Sequence, residues 1–252
     1  MKNKPPYALT SVDNVLLLIH LLRDQGQVKV SEAARELGIA RSTAHRLLAM
    51  LVYRDFAVQD GNHNYLPGPF LAMGPGGATP VRELRAVAQP HMEDLCQRVQ
   101  ETVNLMVRVG AEVRFIASVE SVRVLHVGDR RGTILPAHRA SGGKALLAEL
   151  PPDRLAELYA PDALPAAERT RLLRELDLVR AHGHGVNMEE TEEGVSAIGA
   201  AVHDGQGTAV AALSIAAPST RFRGDRVELF ARELARTVRE VERGLKDLPN
   251  PG

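Results

Sequence analysis

Cysteine is nearly absent from this chain. Cys96 stands alone, which excludes an internal disulfide and a cysteine-rich zinc site. Excess charge of either sign is also absent. Lys plus Arg number 31 and Asp plus Glu number 31, for a formal net charge of zero. The molecule as a whole is therefore no general polyanion binder, and any nucleic-acid affinity must come from a local basic face. No run of about 18 apolar residues occurs, and the amino terminus lacks a secretory pattern. The expected location is the cytoplasm, with no membrane partner. What is present is ordinary for a globular protein with real cores: 44% apolar and 25% charged residues. A length of 252 residues suits two domains.

Residues 28–51 carry the first organised signal. Ser31 is placed to cap a short helix, with Glu32 favourable in its positive first turn. Ala33, Ala34 and Leu37 give that helix a small inward face, so a crossing helix can come close. Gly38 supplies a tight turn. A second helix follows with Ala44, Leu47, Leu48 and Leu51 on one side and Arg41, Ser42, His45 and Arg46 on the other. That pattern is a helix-turn-helix whose second helix can enter a major groove, or equally a helical hairpin with a solvated face. The flanks favour the first. Ser11 is a candidate cap for an apolar helix over 12–22. Beyond Leu51, Asp60-Gly61 between Phe56-Ala57-Val58 and Tyr65-Leu66 signals a hairpin. Three helices and a hairpin make a winged helix-turn-helix.

The wing ends near Leu71, and residues 74–80, rich in Gly and Pro, read as a linker. Residues 81–100 form a predicted helix that Pro90 should kink or divide. Strands are predicted over 103–109, 113–119, 122–127, 195–202 and 209–216, the last two joined by a turn at Asp204-Gly205-Gln206-Gly207. Helices are predicted over 142–148, 152–159, 166–182 and 225–245. Interleaved helices and antiparallel hairpins define an α+β sandwich.

Several motifs now recur in one order: Ser42-Thr43-Ala44-His45-Arg46-Leu47-Leu48, Tyr65-Leu66-Pro67-Gly68, Pro136-Ala137-His138, Gly143-Lys144-Ala145-Leu146-Leu147-Ala148, Glu189-Glu190-Thr191-Glu192-Glu193-Gly194-Val195 and Ala211-Ala212-Leu213-Ser214-Ile215-Ala216-Ala217-Pro218. In these the chain resembles the isocitrate lyase regulator (IclR) family of bacterial transcription factors. The resemblance implies a winged-helix DNA-binding domain (1–73), a linker and linker helix (74–100) and a GAF-like effector-binding domain (101–252). It also implies a homodimer or dimer of dimers on a palindromic DNA operator, and a small carboxylic acid as effector.

On the DNA side, Arg41 and Arg46 can pair a phosphate or read a guanine edge, with His45 a weaker substitute. Arg41, Ser42 and Thr43 lie at a helix N-terminus, although Thr43 can equally cap or pack. Lys29 and Ser31 flank this face. Asn62, His63 and Asn64 sit at the wing tip, in a backbone or minor-groove contact or in a purely structural turn. For the effector, Ser141-Gly142-Gly143 opens a helix whose N–H groups favour a carboxylate. By the resemblance, the pocket is lined at Ser141, Gly142, Asn187, Ala197, Ser214 and Ala216, with His138 able to help neutralise the acid and Arg139 more simply solvated. Small apolar residues at Ala197 and Ala216 leave volume and an apolar wall, which favours an aromatic acid such as a hydroxybenzoate over a two- or three-carbon acid.

Other signals carry less. Glu189, Glu190, Glu192 and Glu193 read as a solvated run rather than paired catalytic carboxylates. His182 and His184 lack further ligands at a metal spacing, and Gly142-Gly143-Lys144 lacks the upstream glycine of a P-loop. No catalytic residue, metal or cofactor is expected. The leading reading is a ligand-responsive regulator of a catabolic operon. Its alternatives are an enzyme acting on small aromatic acids or esters, and a constitutive DNA binder whose second domain only dimerises.

Overall fold

A computed structural model describes residues 9–68, 71 and 81–248. The predicted linker over 74–80 lies outside the described residues. The chain divides into two compact units, Met1–Ala78 and Thr79–Gly252.

The first unit packs α1 (Thr10–Gln25), α2 (Val30–Leu37) and α3 (Arg41–Tyr53) beside a hairpin of β1 (Ala57–Gln59) and β2 (Tyr65–Pro67). Leu18 and Leu22 of α1, Ala33 and Ala34 of α2, and Ala44, Leu48 and Leu51 of α3 close the core. Val28 bridges to Tyr65 and so lashes the wing to the entry of α2. Gly38 has φ +64, a left-handed residue that turns α2 into α3 at no steric cost. Both capping expectations need correction. Helix α2 begins one residue before Ser31, and its leading N–H, that of Lys29, donates to the Glu32 carboxylate at 2.8 Å. Helix α1 likewise begins before Ser11, with Leu9 at its N-cap. In the wing, the left-handed residue is His63 (φ +60), not Gly61. Asp60 organises a five-residue loop over 60–64 by accepting the N–H groups of Asn62 and Asn64 at 2.9 and 2.8 Å.

The second unit is built on one six-stranded antiparallel sheet, ordered β5-β4-β3-β8-β7-β6. Its strands are β3 (Thr102–Val109), β4 (Glu112–Val119), β5 (Ile134–Pro136), β6 (Gly185–Met188), β7 (Val195–His203) and β8 (Ala209–Pro218). Strand alternation sorts the side chains. Val103, Leu105 and Val107 of β3 and Leu213 and Ile215 of β8 face α4 (Val81–Val99) and α8 (Asp225–Lys246). The opposite face, with Met106, Ala201 and Ala212, meets α5 (Ser141–Ala148), α6 (Pro152–Leu158) and α7 (Ala166–His182). The helix over Val81–Val99 thus packs into this unit's core through Leu84, Ala88, Met92 and Leu95.

That helix runs unbroken through Pro90. Proline frees the carbonyl four residues back, at Ala86, and both residues are exposed, so water can satisfy it. The strand predicted over 122–127 does not form. The three-residue β5 pairs only with Glu112–Arg114 of β4, and Val122, Val124 and Leu125 stay exposed without joining the sheet. The segment is instead tied down by single bonds, Thr102 Oγ1 to the Val127 carbonyl at 2.5 Å and Arg221 to the Leu125 carbonyl at 2.8 Å. Strand β6 was not anticipated. At four residues it is too short to show a period.

Helix α5 is buried along its whole length. It lies flush on its neighbours because glycines remove the side chains in between. A Cβ on Gly199 of β7 would sit 2.4 Å from the Gly142 nitrogen, and one on Gly143 would sit 2.3 Å from the Ala137 carbonyl oxygen. Gly199→Ala is therefore expected to cost about 1–3 kcal/mol through forced backbone shifts. Gly205→Ala, where an added Cβ meets only ordinary contacts at 3.6 Å, serves as control. Urea unfolding of both variants measures the difference, and equal stabilities would contradict the close seating of α5.

Candidate functional site

Helix α3 presents Arg41, Ser42, His45 and Arg46 as exposed side chains, while Ala44, Leu48 and Leu51 on the other side are buried. Ala40 precedes the helix without a side-chain capping bond. Thr43, part-buried, does not cap it, and the leading N–H groups stay open to an anion. Lys29 is exposed, whereas Ser31 is part-buried. At the wing tip Asn62 and His63 are exposed. Asn64 turns inward, and its side-chain amide donates to Asp60 at 2.9 Å, which makes it a structural residue of the turn.

The second unit holds a small, half-open pocket between the sheet and the N-terminus of α5, about 330 Å³ when the solvent-filled mouth is counted with it. Register builds its floor. Asn104 of β3 pairs with Ser214 of β8, which pairs with Gly199 of β7. In the next row Ala216 of β8 pairs with Ala197 of β7, which pairs with Asn187 of β6. Ser141, first residue of α5, stands over these rows. Five of the residues implied by the family resemblance, Ser141, Asn187, Ala197, Ser214 and Ala216, thus meet in one cavity.

Two do not. Gly142 turns its α-carbon to the protein interior, where a Cβ would lie 2.7 Å from the Met106 sulfur. It seats the helix rather than lining the pocket. His138 lies against Tyr159 in an edge-to-face contact at 5.6 Å and lines a separate cavity with Arg139, Glu168, Arg171, Glu175 and Glu190. Burial, aided by Arg139, lowers its pKa. Its two ring nitrogens are buried without a partner among the described residues, so protonation there is disfavoured. Arg139 is half-exposed, 3.8 Å from Glu168.

Sequence reading missed other members of the wall: Met106, Phe115 and Leu135, which are apolar, and Asn104, Arg130 and Thr191, which are polar. Asn104 was findable. It is a polar residue flanked by apolar ones in the middle of a strand, and alternation puts it on the face opposite Val103 and Leu105. Its Oδ1 accepts from Ser118 at 2.8 Å, and its Nδ2 is buried with no partner among the described residues. An unmet buried donor costs about 1–3 kcal/mol, which a ligand oxygen or a water would relieve. Asn187 is fixed differently. Its Oδ1 accepts the Glu190 N–H at 2.8 Å and its Nδ2 donates to Thr191 at 2.7 Å.

The acidic run after β6 is not simply solvated. Lys144, one turn into α5 and only 2% exposed, donates to Glu190 at 2.6 Å and to the Val186 carbonyl at 2.9 Å. Its Nζ also lies 2.7 Å from Glu175 of α7. Glu192 pairs with Arg130. Burial pushes the Glu175 carboxyl up, but hydrogen bonds from Lys144 and Arg171 outweigh it and hold the carboxyl below its usual range. Among the described residues, no group of three or more His, Cys, Asp or Glu could hold a metal ion.

A winged helix with an exposed basic face, followed by an α+β unit with a small polar-ended pocket, is the architecture of a DNA-binding regulator with an effector domain. The comparisons with known proteins agree. Residues 77–243 match the bacterial transcriptional regulator IclR C-terminal model and residues 11–61 the IclR helix-turn-helix domain. The chain belongs to the IclR family of transcriptional regulators. It is 31% identical over 238 residues to the HTH-type transcriptional repressor AllR of Klebsiella pneumoniae, spanning 92% of this chain and 88% of that one. Among solved structures, IclR of Thermotoga maritima shares 27% identity at a TM-score of 0.59, over 93% of this chain and 99% of that one. An IclR homolog complexed with 4-hydroxybenzoate, from Microbacterium hydrocarbonoxydans, shares 25% at 0.61, over 95% and 99%.

Removing one partner of a buried ion pair strands the others. Lys144→Ala is expected to cost about 3 kcal/mol, the low end for such losses because Glu175 and Glu190 are partly exposed. Lys144→Met combined with Glu175→Gln and Glu190→Gln should recover part of it. Chemical denaturation checks both, and a single-variant loss under about 1 kcal/mol would show the cluster to be an ordinary surface pair.

Proposed function

We propose that this chain is a cytoplasmic regulator that binds a palindromic operator through α3 and the wing and responds to a small carboxylic acid held at the N-terminus of α5. The observation that carries the effector reading is the Asn104 Nδ2, without a partner among the described residues, inside a cavity whose other polar groups are Arg130, Ser141, Asn187, Thr191 and Ser214. Donors gathered at a helix N-terminus suit an anion. The wall formed by Met106, Phe115, Leu135, Ala197 and Ala216 suits an apolar body behind the acid, so an aromatic acid fits better than a two-carbon one. The complex of a structural neighbour with 4-hydroxybenzoate supports the same preference. The protein acts as a dimer or dimer of dimers and governs a catabolic operon. It works as a ligand-responsive regulator, a reading supported by its similarity over most of its length to a transcriptional repressor and to a solved IclR protein.

For DNA, Arg41→Ala and Arg46→Ala are each expected to weaken operator binding by about tenfold, as charged hydrogen bonds to phosphate or guanine are lost, with unfolding transitions unchanged. Fluorescence anisotropy on promoter fragments flanking the gene measures this, and wild-type affinity should fall steeply with salt. Unchanged binding by both variants would remove α3 from the reading role. For the effector, calorimetry should give tighter binding of benzoate and 4-hydroxybenzoate than of pyruvate and glyoxylate. The reverse order would overturn the aromatic assignment.

A further inference from the structure

Arg130 is the one charged side chain among the described residues lining the effector pocket. It stands on the segment between β4 and β5, and its guanidinium bonds Glu192 on the segment between β6 and β7. The arginine is 16% exposed and the glutamate 56%. The cation is therefore held at the pocket while its partner reaches into solvent. The neighbouring charges are committed elsewhere. Arg131 pairs with Asp129, and Lys144 is taken up by Glu175 and Glu190.

A carboxylate entering this cavity loses water and must be repaid by a fixed positive group. Helix N–H groups and Asn104 supply partial charges, but only Arg130 supplies a whole one. The geometry points to Arg130 as the residue that selects an acid over its neutral analogue, with Glu192 as a resting counter-ion that the incoming carboxylate displaces. The exchange conserves charge at the guanidinium: one carboxylate leaves as another arrives. Glu192 is free to go because it is mostly in water. The segment it belongs to stays anchored by Lys144 on Glu190 and by Asn187 on Glu190 and Thr191. This assignment rests on the acid-effector reading proposed above.

The test is calorimetry of the full chain with 4-hydroxybenzoate, benzoate and glyoxylate, each beside its neutral amide. Glu192→Gln removes the competitor and is expected to tighten acid binding by about fivefold, the scale of a partly exposed pair, with amide binding unchanged. Arg130→Gln is expected to weaken acid binding by about tenfold or more and to abolish the preference for acid over amide. Arg130→Lys, which keeps the charge, retains that preference. Thermal unfolding of each variant reports that the fold is intact. If an acid binds the wild type but both Gln variants leave its affinity and the acid-to-amide ratio unchanged, the assignment of Arg130 and Glu192 is wrong while the acid reading stands. If none of the three acids binds the wild type, both fall together.

Discussion

Helix α5 can lie against β6 and β7 only because side chains are missing where they meet. Gly199 gives up a Cβ that would strike the Gly142 backbone, and Gly185 one that would sit 2.5 Å from the Ser141 carbonyl oxygen. This close approach brings the start of the helix, with its open N–H groups, over the polar row of Asn104 and Ser214. A looser helix would leave a wider cleft with no focused donor. The same closeness sinks Lys144 between β6 and α7, where two carboxylates and a carbonyl meet its ammonium. Packing and electrostatics are thus two consequences of one constraint.

The pocket inherits its chemistry from strand alternation. On β8, Leu213 and Ile215 fill the core beneath α4 and α8, so Ser214 and Ala216 must face the other way. On β7 the same rule turns Ala197 and Gly199 toward α5. The floor is therefore small and mildly polar where the opposite face is large and apolar. Sheet register then decides which small residue stands beside which polar one.

Much of this was legible from the chain itself. The period of α8 is strong, β7 and β8 read as apolar runs, and Gly38 marks its turn by the conformation it must take. Five pocket residues followed from the family motifs. What failed had local causes. Val122, Val124 and Leu125 look like strand residues, but a strand also needs a ladder partner at its own register, which no single segment reveals. Ser11 and Ser31 are good caps by type, yet each helix starts before them. Arg130 and Glu192 are far apart in sequence and meet only through loops whose path carries no periodic signal. Lys144 was hidden by its type, since a lysine is expected in water unless partners are known.

The central claim is that the two units share one free energy: a metabolite bound in the second changes the grip of the first on DNA. Linkage makes this reciprocal, so whatever factor the acid applies to operator affinity, the operator must apply to acid affinity. The decisive measurement is a pair of titrations on the same protein, operator affinity with and without saturating acid, and acid affinity with and without saturating operator. Equal factors, of about 5- to 150-fold, are the predicted result. A factor of one in both directions, with each ligand still bound, would contradict the account.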